Sequence, residues 1–468
     1  MLEIGQQYTT TITGVSHQGL GVGRIEQIVV FVPRALIGET VRVRIDEIKK
    51  NLAHGTLVEI ITPSAQRLTP RCGQSAHCGG CELQHAAYQA QLDAKRQIVQ
   101  DAMTKLARVD ITVEPVLGMK DPWRYRNKGV FHVDYQAGAV QLGFYQQSTH
   151  EVVAADQCFL FSEQINALLR FLEDAIQRHS KVFYLQKVML RESRANGELM
   201  VVFVTKDNHW ALSPLVEEMQ AAFPQVVSVY HNINTNPKLM LGRSFKLLAG
   251  QETLEDKLGD LRFQISPQSF FQVNNEQAEV LYNQVLALAD LQGTETVVDA
   301  YCGIGTISLF LARQAGQVYG VESVSQAIKD ANLNAKLNGI TNCRFTTAKA
   351  EEWLPKWIAQ ENIPDLIVVD PPRKGCDTQL LYALTTALPP KIIYVSCEPS
   401  TLARDIRHLT ENGYTVQKVQ PVDLFAQSWH VETVALLTRK KDIERIDIEM
   451  TVDKEDVTEK ATYQKSKE

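Results

Sequence analysis

The sequence predicts a multidomain chain with three parts. They are a small N-terminal β-barrel of the OB type, a central α+β domain, and a C-terminal α/β domain with a mainly parallel sheet. Three observations carry this. The 468 residues suit about three domains at roughly 150 residues each. Residues 1–62 hold short runs rich in β-branched side chains. From about residue 274, apolar strands alternate with helical stretches of roughly 10–15 residues, the pattern of βαβ units.

In residues 1–62 the expected strands are Thr9–Thr13, Ile28–Val32, Val41–Ile45 and Thr56–Ile60, separated by Gly-bearing turns such as Gly19-Leu-Gly-Val-Gly23. Residues 63–265 form the central domain. Within it, the spacing of Tyr88, Leu92, Val99, Met103 and Leu106 predicts a helix over 85–108. Residues 85–110 are expected to pack on the third domain. Residues 128–158 alternate as strands, Leu199–Val204 reads as a buried strand, and a helix follows near 211–222. The third domain spans 266–440. It begins with a helix over 275–290 and the strand Thr296–Asp299, then a helix from Gly305 to Gln314 and the strand Val318–Glu322. A helix over 325–338 and the strands Leu366–Asp370, Ile392–Ser396 and Val434–Leu437 complete it. Residues 441–468 hold nine acidic and six basic residues and read as a disordered tail.

The composition, 44% hydrophobic and 22% charged, is that of a folded chain. A net charge of −6 excludes a histone-like polycation but permits a local basic patch. The start Met1-Leu-Glu-Ile-Gly has neither a basic nor an apolar segment of the signal-peptide kind. No apolar run approaches the roughly 18 residues of a membrane span. The expected location is the cytoplasm, away from membranes, with no obligate protein partner. In that reducing compartment the eight cysteines are better read as ligands, nucleophiles or packing groups than as disulfides.

Asp299-Ala-Tyr-Cys-Gly-Ile-Gly305 follows a strand and opens a helix, so Gly303 and Gly305 can bring backbone close to a ligand. The full dinucleotide fingerprint is absent, which disfavours a pyrophosphate. Glu322 ends the next strand, where ribose hydroxyls are usually held. A glycine turn with a ribose carboxylate points to a nucleoside-like ligand, most commonly S-adenosylmethionine. Asp370-Pro-Pro-Arg373 ends a further strand, and an arginine where amine methylases carry an aromatic residue argues against amine methylation.

Ser396-Cys397-Glu398-Pro399 sets a thiol at the same strand edge, and Trp429-His-Val-Glu-Thr433 brings Glu432 there. Uracil C5 is a weak nucleophile. A thiolate that adds at C6 turns the ring into an enolate whose C5 can take a methyl group, after which a base must remove the C5 proton. Cys397 and Glu432 are the two groups this chemistry needs.

Cys72-x5-Cys78-x2-Cys81 is a tight group in a Gly-rich loop, with Cys158 farther on. Four thiolates in a reducing compartment mean metal. Three clustered cysteines and one distant one resemble an iron–sulfur set more than paired zinc ligands, with zinc as the alternative. Cys302, Cys343 and Cys376 read as packing residues. Lys120-Asp-Pro-Trp-Arg-Tyr-Arg-Asn-Lys128 interleaves Arg124, Arg126 and Lys128 with Trp123 and Tyr125. In that pattern cations track phosphates and aromatic faces stack bases, although a solvated charged loop reads the same way.

Over about residues 1–440 the chain resembles the S-adenosylmethionine-dependent RNA uracil-C5 methyltransferases, which act on 23S ribosomal RNA or transfer RNA. The resemblance rests on Ser-Phe-Phe-Gln-Val-Asn at 269–274 together with the motifs at 299–305, 370–373, 396–399 and 430–433. It implies a TRAM-like RNA-binding barrel and a Rossmann-like methyltransferase domain. It makes Gln272, Tyr301, Glu322 and Asp370 cofactor contacts, Cys397 the nucleophile and Glu432 the base. It also implies a 4Fe-4S cluster on Cys72, Cys78, Cys81 and Cys158, and strengthens the RNA reading of the Tyr-Arg-Asn-Lys run. The expected activity is methylation of uridine C5 in RNA, with 23S ribosomal RNA favoured over transfer RNA. The rivals are cytosine-C5 methylation and, from another class, a non-catalytic iron–sulfur RNA-binding protein.

Overall fold

The computed structural model describes residues 2–441 except 137, 148, 156, 180–184 and 209–211. The tail from 442 onward and residue 211 of the helix expected near 211–222 lie outside the described residues.

Strands β1 (Gln7–Val15), β2 (Gly21–Ile25), β3 (Ile28–Val32), β4 (Thr40–Lys49) and β5 (Leu52–Thr62) close into a barrel in the order β1-β2-β3-β5-β4. Alternate residues Val41, Val43 and Ile45 are fully buried and meet Ile12, Val30 and Val32 inside it, as a period-2 pattern dictates. The glycine run 19–23 corrects the sequence reading, because Gly21 and Gly23 lie inside β2 rather than in a turn. A Cβ on Gly23 would come within 2.7 Å of the Thr10 hydroxyl, so the small residues serve close strand approach and not chain reversal.

Helix α1 (Tyr88–Asp101) follows and runs on as a π-helical turn, Ala102–Ala107. Its Val99 joins Ala102, Met103 and Val113 in one apolar core with Ile367, Leu402 and Ile406, so this helix packs on the third domain. The central sheet comprises β6 (Lys128–Gln136), β7 (Ala139–Tyr145), β8 (Val152–Ala154), β9 (Leu185–Glu192), β10 (Leu199–Thr205), β11 (Val226–Ile233) and β12 (Ser244–Gly250). Their order is β12-β11-β10-β9-β6-β7-β8. Helices α2 (Glu163–Arg178) and α3 (Ser213–Ala222) cover one face through Leu168, Leu172, Leu215 and Met219. Every residue of β10 is buried, which is why it reads as an unbroken apolar run. A hairpin, β13 (Leu254–Leu258) and β14 (Leu261–Ile265), leads onward.

The third domain opens with α4 (Asn275–Ala289), capped by the Asn274 side chain, which accepts from the Gln277 N–H. There follow β15 (Thr296–Ala300), α5 (Thr306–Ala312), β16 (Gln317–Glu322), α6 (Ser325–Leu337), β17 (Cys343–Thr347), α7 (Ala350–Ile358) and β18 (Leu366–Val369). The chain continues through α8 (Thr378–Ala387), β19 (Lys391–Ser396), α9 (Pro399–Glu411), β20 (Tyr414–Val422) and β21 (Glu432–Arg439). The sheet order is β17-β16-β15-β18-β19-β21-β20, with β15 to β19 parallel. β21 runs antiparallel to both β19 and β20. Among the described residues no helix is long and apolar enough to cross a membrane.

Candidate active site

β15 has β16 on one side and β18 on the other. Successive crossovers therefore leave its carboxyl end in opposite directions and open a crevice there. The sequence-predicted residues sit along that edge. Glu322 is the last residue of β16, Asp370 follows β18, and Cys397 follows β19. β21 is antiparallel, so its first residue, Glu432, lies at the same edge. Gln272 arrives on the segment before α4 and is nearly buried, its carbonyl accepting from the Asn127 amide at 2.8 Å.

Tyr301 begins the turn after β15 with φ +75°, a conformation few non-glycine residues adopt. The carbonyl of Val321 accepts from the N–H groups of both Tyr301 (2.9 Å) and Cys302 (3.0 Å), which locks the turn to β16. The two glycines divide the work. Open space lies beyond Gly303, which lines the crevice, whereas a Cβ on Gly305 would press on Phe345 at 3.1 Å. Gly303 therefore admits a ligand and Gly305 admits the neighbouring core.

Gln272, Tyr301, Glu322, Asp370, Cys397 and Glu432 all line one cavity of about 730 Å³. Three further residues there were not among the expected site residues, although Arg373 was read as an argument against amine methylation. Arg373 donates to His430 Nε2 at 3.3 Å beside Cys397 and Glu432, and Phe270 is 64% exposed at the wall. Phe270 had a readable signal, an exposed aromatic inside the Ser-Phe-Phe-Gln run. The pairing of Arg373 with His430, 57 residues apart, had none.

The model of the tRNA (uracil-5-)-methyltransferase family matches residues 87–440, and that of the TRAM domain matches residues 2–58. The chain belongs to the tRNA (uracil-5-)-methyltransferase family. It is an RNA methyltransferase with an N-terminal TRAM barrel. It is 43% identical over 441 residues to an uncharacterized RNA methyltransferase of Clostridium tetani, covering 92% of this chain and 96% of that one. A Bacillus cereus protein of the same description is 43% identical over 434 residues, covering 90% and 95%. Among solved structures, it is similar to the Pyrococcus abyssi tRNA (uracil-54, C5)-methyltransferase in complex with S-adenosyl-L-homocysteine. That likeness has a TM-score of 0.74, 27% identity, and covers 92% of this chain and 99% of the other.

The methyltransferase holds its acidic groups in a medium that resists ionisation. Burial pushes the Asp370 carboxyl up to about 7, with the charge of Asp299 adding to it. Burial and then Asp370 push Glu432 up to about 8, against the pull of Arg373. The Cys397 thiol is pushed up to about 11 by burial, then by Glu432 and Asp370, again with Arg373 opposing. His430 is pushed down to about 4 by burial and Arg373.

A folded-state pKa raised above its unfolded value stabilises the fold below the unfolded value, and that gain is lost as pH rises to the folded one. Asp370→Asn is therefore expected to be more stable than the parent at pH 8, by at least about 1 kcal/mol at about 1.4 kcal/mol per pKa unit, and to unfold at a higher temperature. The difference should shrink towards pH 4. Thermal unfolding across that window checks it, and a variant less stable at pH 8 would contradict the raised value.

The methyltransferase places the basic run differently from the stacking arrangement expected. Tyr125 is buried and its hydroxyl donates to the Ala426 carbonyl at 3.0 Å, so its face is not free for a base. Asn127 is also buried, against Gln272 and Asn275. Tyr125 and Asn127 thus point into the catalytic domain, while Arg124, with φ +53°, turns out of the run and Arg126 and Lys128 face the other side. Arg124 is exposed and pairs with Glu163 at 2.6 Å. Trp123 is capped by the Arg71 guanidinium.

Arg126 and Lys128 line a second cavity of about 710 Å³ together with Cys72, Cys78, Cys81 and Cys158. The Arg126 Nε there is buried without a hydrogen-bond partner. Burial, Arg191 and Arg126 push Lys128 down to about 7. Burial pushes the Cys81 thiol up to about 12 and Cys158 up to about 11, and each feels the charges of Cys72 and Cys78. Among the described residues no three His, Cys, Asp or Glu side chains are gathered tightly enough to hold a metal ion. Cys302 and Cys376 are buried packing residues, as read, and Cys343 packs half-buried against the same core as Phe345.

Proposed function

We propose that this enzyme transfers a methyl group from S-adenosylmethionine to C5 of uridine in RNA through a covalent bond between Cys397 and C6. One observation carries the reading: a thiol, a carboxyl base and a strand-end carboxylate suited to ribose share one cavity at the switch point of the sheet. Gln272, Tyr301, Glu322 and Asp370 would hold the cofactor, which supplies an electrophilic methyl group. The Pyrococcus abyssi structure, a complex with S-adenosyl-L-homocysteine, supports this choice.

The Cys397 sulfur bonds to C6 and the ring electrons move onto O4 as an enolate. Arg373 favours the thiolate. Once C5 carries the methyl group, Glu432 takes the C5 proton, the C5–C6 double bond re-forms, and the thiolate leaves. A uracil inside folded RNA must be flipped out to reach Cys397. The trapping of wild-type enzyme on RNA bearing 5-fluorouridine tests the reading. A covalent band is expected, because fluorine does not leave as a proton does, and its absence would refute the covalent route.

Glu322→Ala is expected to weaken S-adenosylmethionine binding about tenfold or more, the worth of a charge-assisted bond to ribose. Unchanged affinity by calorimetry would remove Glu322 from the site.

The favoured substrate is 23S ribosomal RNA. The transfer-RNA reading draws on the family description and on the Pyrococcus abyssi neighbour. Nucleoside mass spectrometry of 23S and transfer RNA from a strain lacking the protein distinguishes them by which loses 5-methyluridine. Arg124, Arg126 and Lys128 are the proposed phosphate contacts, and the cytoplasm the proposed location.

Cys72, Cys78, Cys81 and Cys158 would hold a 4Fe-4S cluster. The four thiols line one cavity, and buried thiolates would need cationic metal to offset their desolvation. With every iron bound by protein it would supply structural order and leave no open iron for chemistry. Anaerobically purified protein is expected to contain iron and sulfide, and Cys81→Ser to lose both. Stoichiometric zinc without iron would overturn the assignment.

A further inference from the structure

The loop 423–431 joins β20 to β21; it carries His430 and leads directly into Glu432, the first residue of β21. At its centre Gln427 has φ +68° and is 2% exposed. A left-handed glutamine in a buried loop is strained, and such strain persists only where its surroundings impose it. Here they do so from both ends of the peptide. The Gln427 carbonyl accepts from the N–H groups of Glu82 (2.9 Å) and Leu83 (3.0 Å), directly after Cys81. The Gln427 N–H donates to Gln91 Oε1 at 3.0 Å, and Gln91 Nε2 donates back to Gln427 Oε1 at 3.0 Å. Gln91 is itself 2% exposed and also donates to the Ala86 carbonyl at 3.0 Å.

The rest of the loop is anchored as well. Tyr88 and Lys95 both bind the Asp423 carboxylate, at 2.7 and 2.6 Å. Lys95 also donates to the Phe425 carbonyl at 3.0 Å. The barrel touches the loop too, since a Cβ on Gly19 would run into the indole of Trp429. Cys397, by contrast, follows β19 and precedes α9, and its link to this loop runs through Arg373, which donates to His430.

We propose that Gln91 and Gln427 are positioning residues for proton removal: their paired amides hold the left-handed turn that aims the entry to β21, and with it Glu432, at the C5 proton. This rests on the reading of Glu432 as the base. It predicts a selective defect, because the proposed addition depends on the Cys397 thiolate, which Arg373 favours, while release needs Glu432.

Two substitutions at one position separate strain from mere loss of contact. Gln427→Ala and Gln427→Gly both delete the side-chain bond, but only alanine still resists positive φ. On ordinary uridine RNA, the methylated covalent adduct of Gln427→Ala is expected to outlive that of Gln427→Gly about tenfold. Gln91→Leu should also lengthen the adduct lifetime relative to the parent enzyme. In all three, the rate of trapping on 5-fluorouridine RNA should stay within about threefold of the parent enzyme. Equal adduct lifetimes for the alanine and glycine variants would overturn the proposal. So would trapping that falls in step with release, the mark of general damage. Should Gln91→Leu fail to fold, the alanine–glycine comparison still decides. A parent enzyme that forms no 5-fluorouridine adduct would instead refute the covalent reading on which the proposal rests.

Discussion

Cys397→Ala is expected to abolish both methyl transfer and the covalent enzyme–RNA band, lowering turnover by at least on the order of a thousandfold. Cys397 follows β19 in the same cavity as Glu432 and Asp370, and without its sulfur C5 remains too weak a nucleophile to take a methyl group. S-adenosylmethionine affinity should be nearly unchanged, since the proposed cofactor contacts Gln272, Tyr301, Glu322 and Asp370 lie on other segments. The decisive measurement is trapping on 5-fluorouridine RNA. If the alanine variant still forms the adduct, another group is the nucleophile and the mechanism fails with it.

Glu432→Gln should give the complementary result. Addition and methyl transfer proceed, proton removal stalls, and methylated RNA accumulates on Cys397 as a shifted band on a denaturing gel. A positioned base is worth roughly 10²–10⁴ in rate, so release should slow by that order. The pH dependence has a definite sign. The base must be a carboxylate, and burial raises Glu432 to about 8. Release by the parent enzyme should therefore accelerate as pH rises towards about 8 and then level off. The glutamine variant should lack that limb. If Glu432→Gln turns over normally, the proton leaves to another group, with Asp370 or a water as the next candidates.

Much of this site was legible because its residues sit where strands end. Glu322, Asp370 and Cys397 each close an apolar run, and a parallel sheet gathers its carboxyl ends at one edge. The closed barrel was legible from its β-branched runs, although not the placing of Gly21 and Gly23 within β2. What the sequence hid lies in contacts between distant segments. Tyr125 reads as an aromatic among cations, yet its hydroxyl bonds Ala426, 301 residues away. The pair Gln91 and Gln427 is separated by 336 residues, and nothing local in either stretch marks it. The positive φ of Tyr301 was equally silent, since neighbouring backbone at β16 imposes it rather than the residue's own preference.

The position of β21 bears on how the enzyme is made. The last strand of the sheet in chain order lies between β19 and β20, and on the other side of β20 lies the segment 114–117, joined to it by the Leu117–Val422 bridge. A nascent chain that has emerged only through residue 431 therefore carries the thiol at Cys397 but has an open edge on β19, a β20 held only by residues 114–117, and no Glu432. The step that completes the sheet is the same step that delivers the base. A chain that stops before residue 432 is therefore expected to have neither the completed sheet nor the proposed base, so the same strand that seals the core also finishes the proposed site.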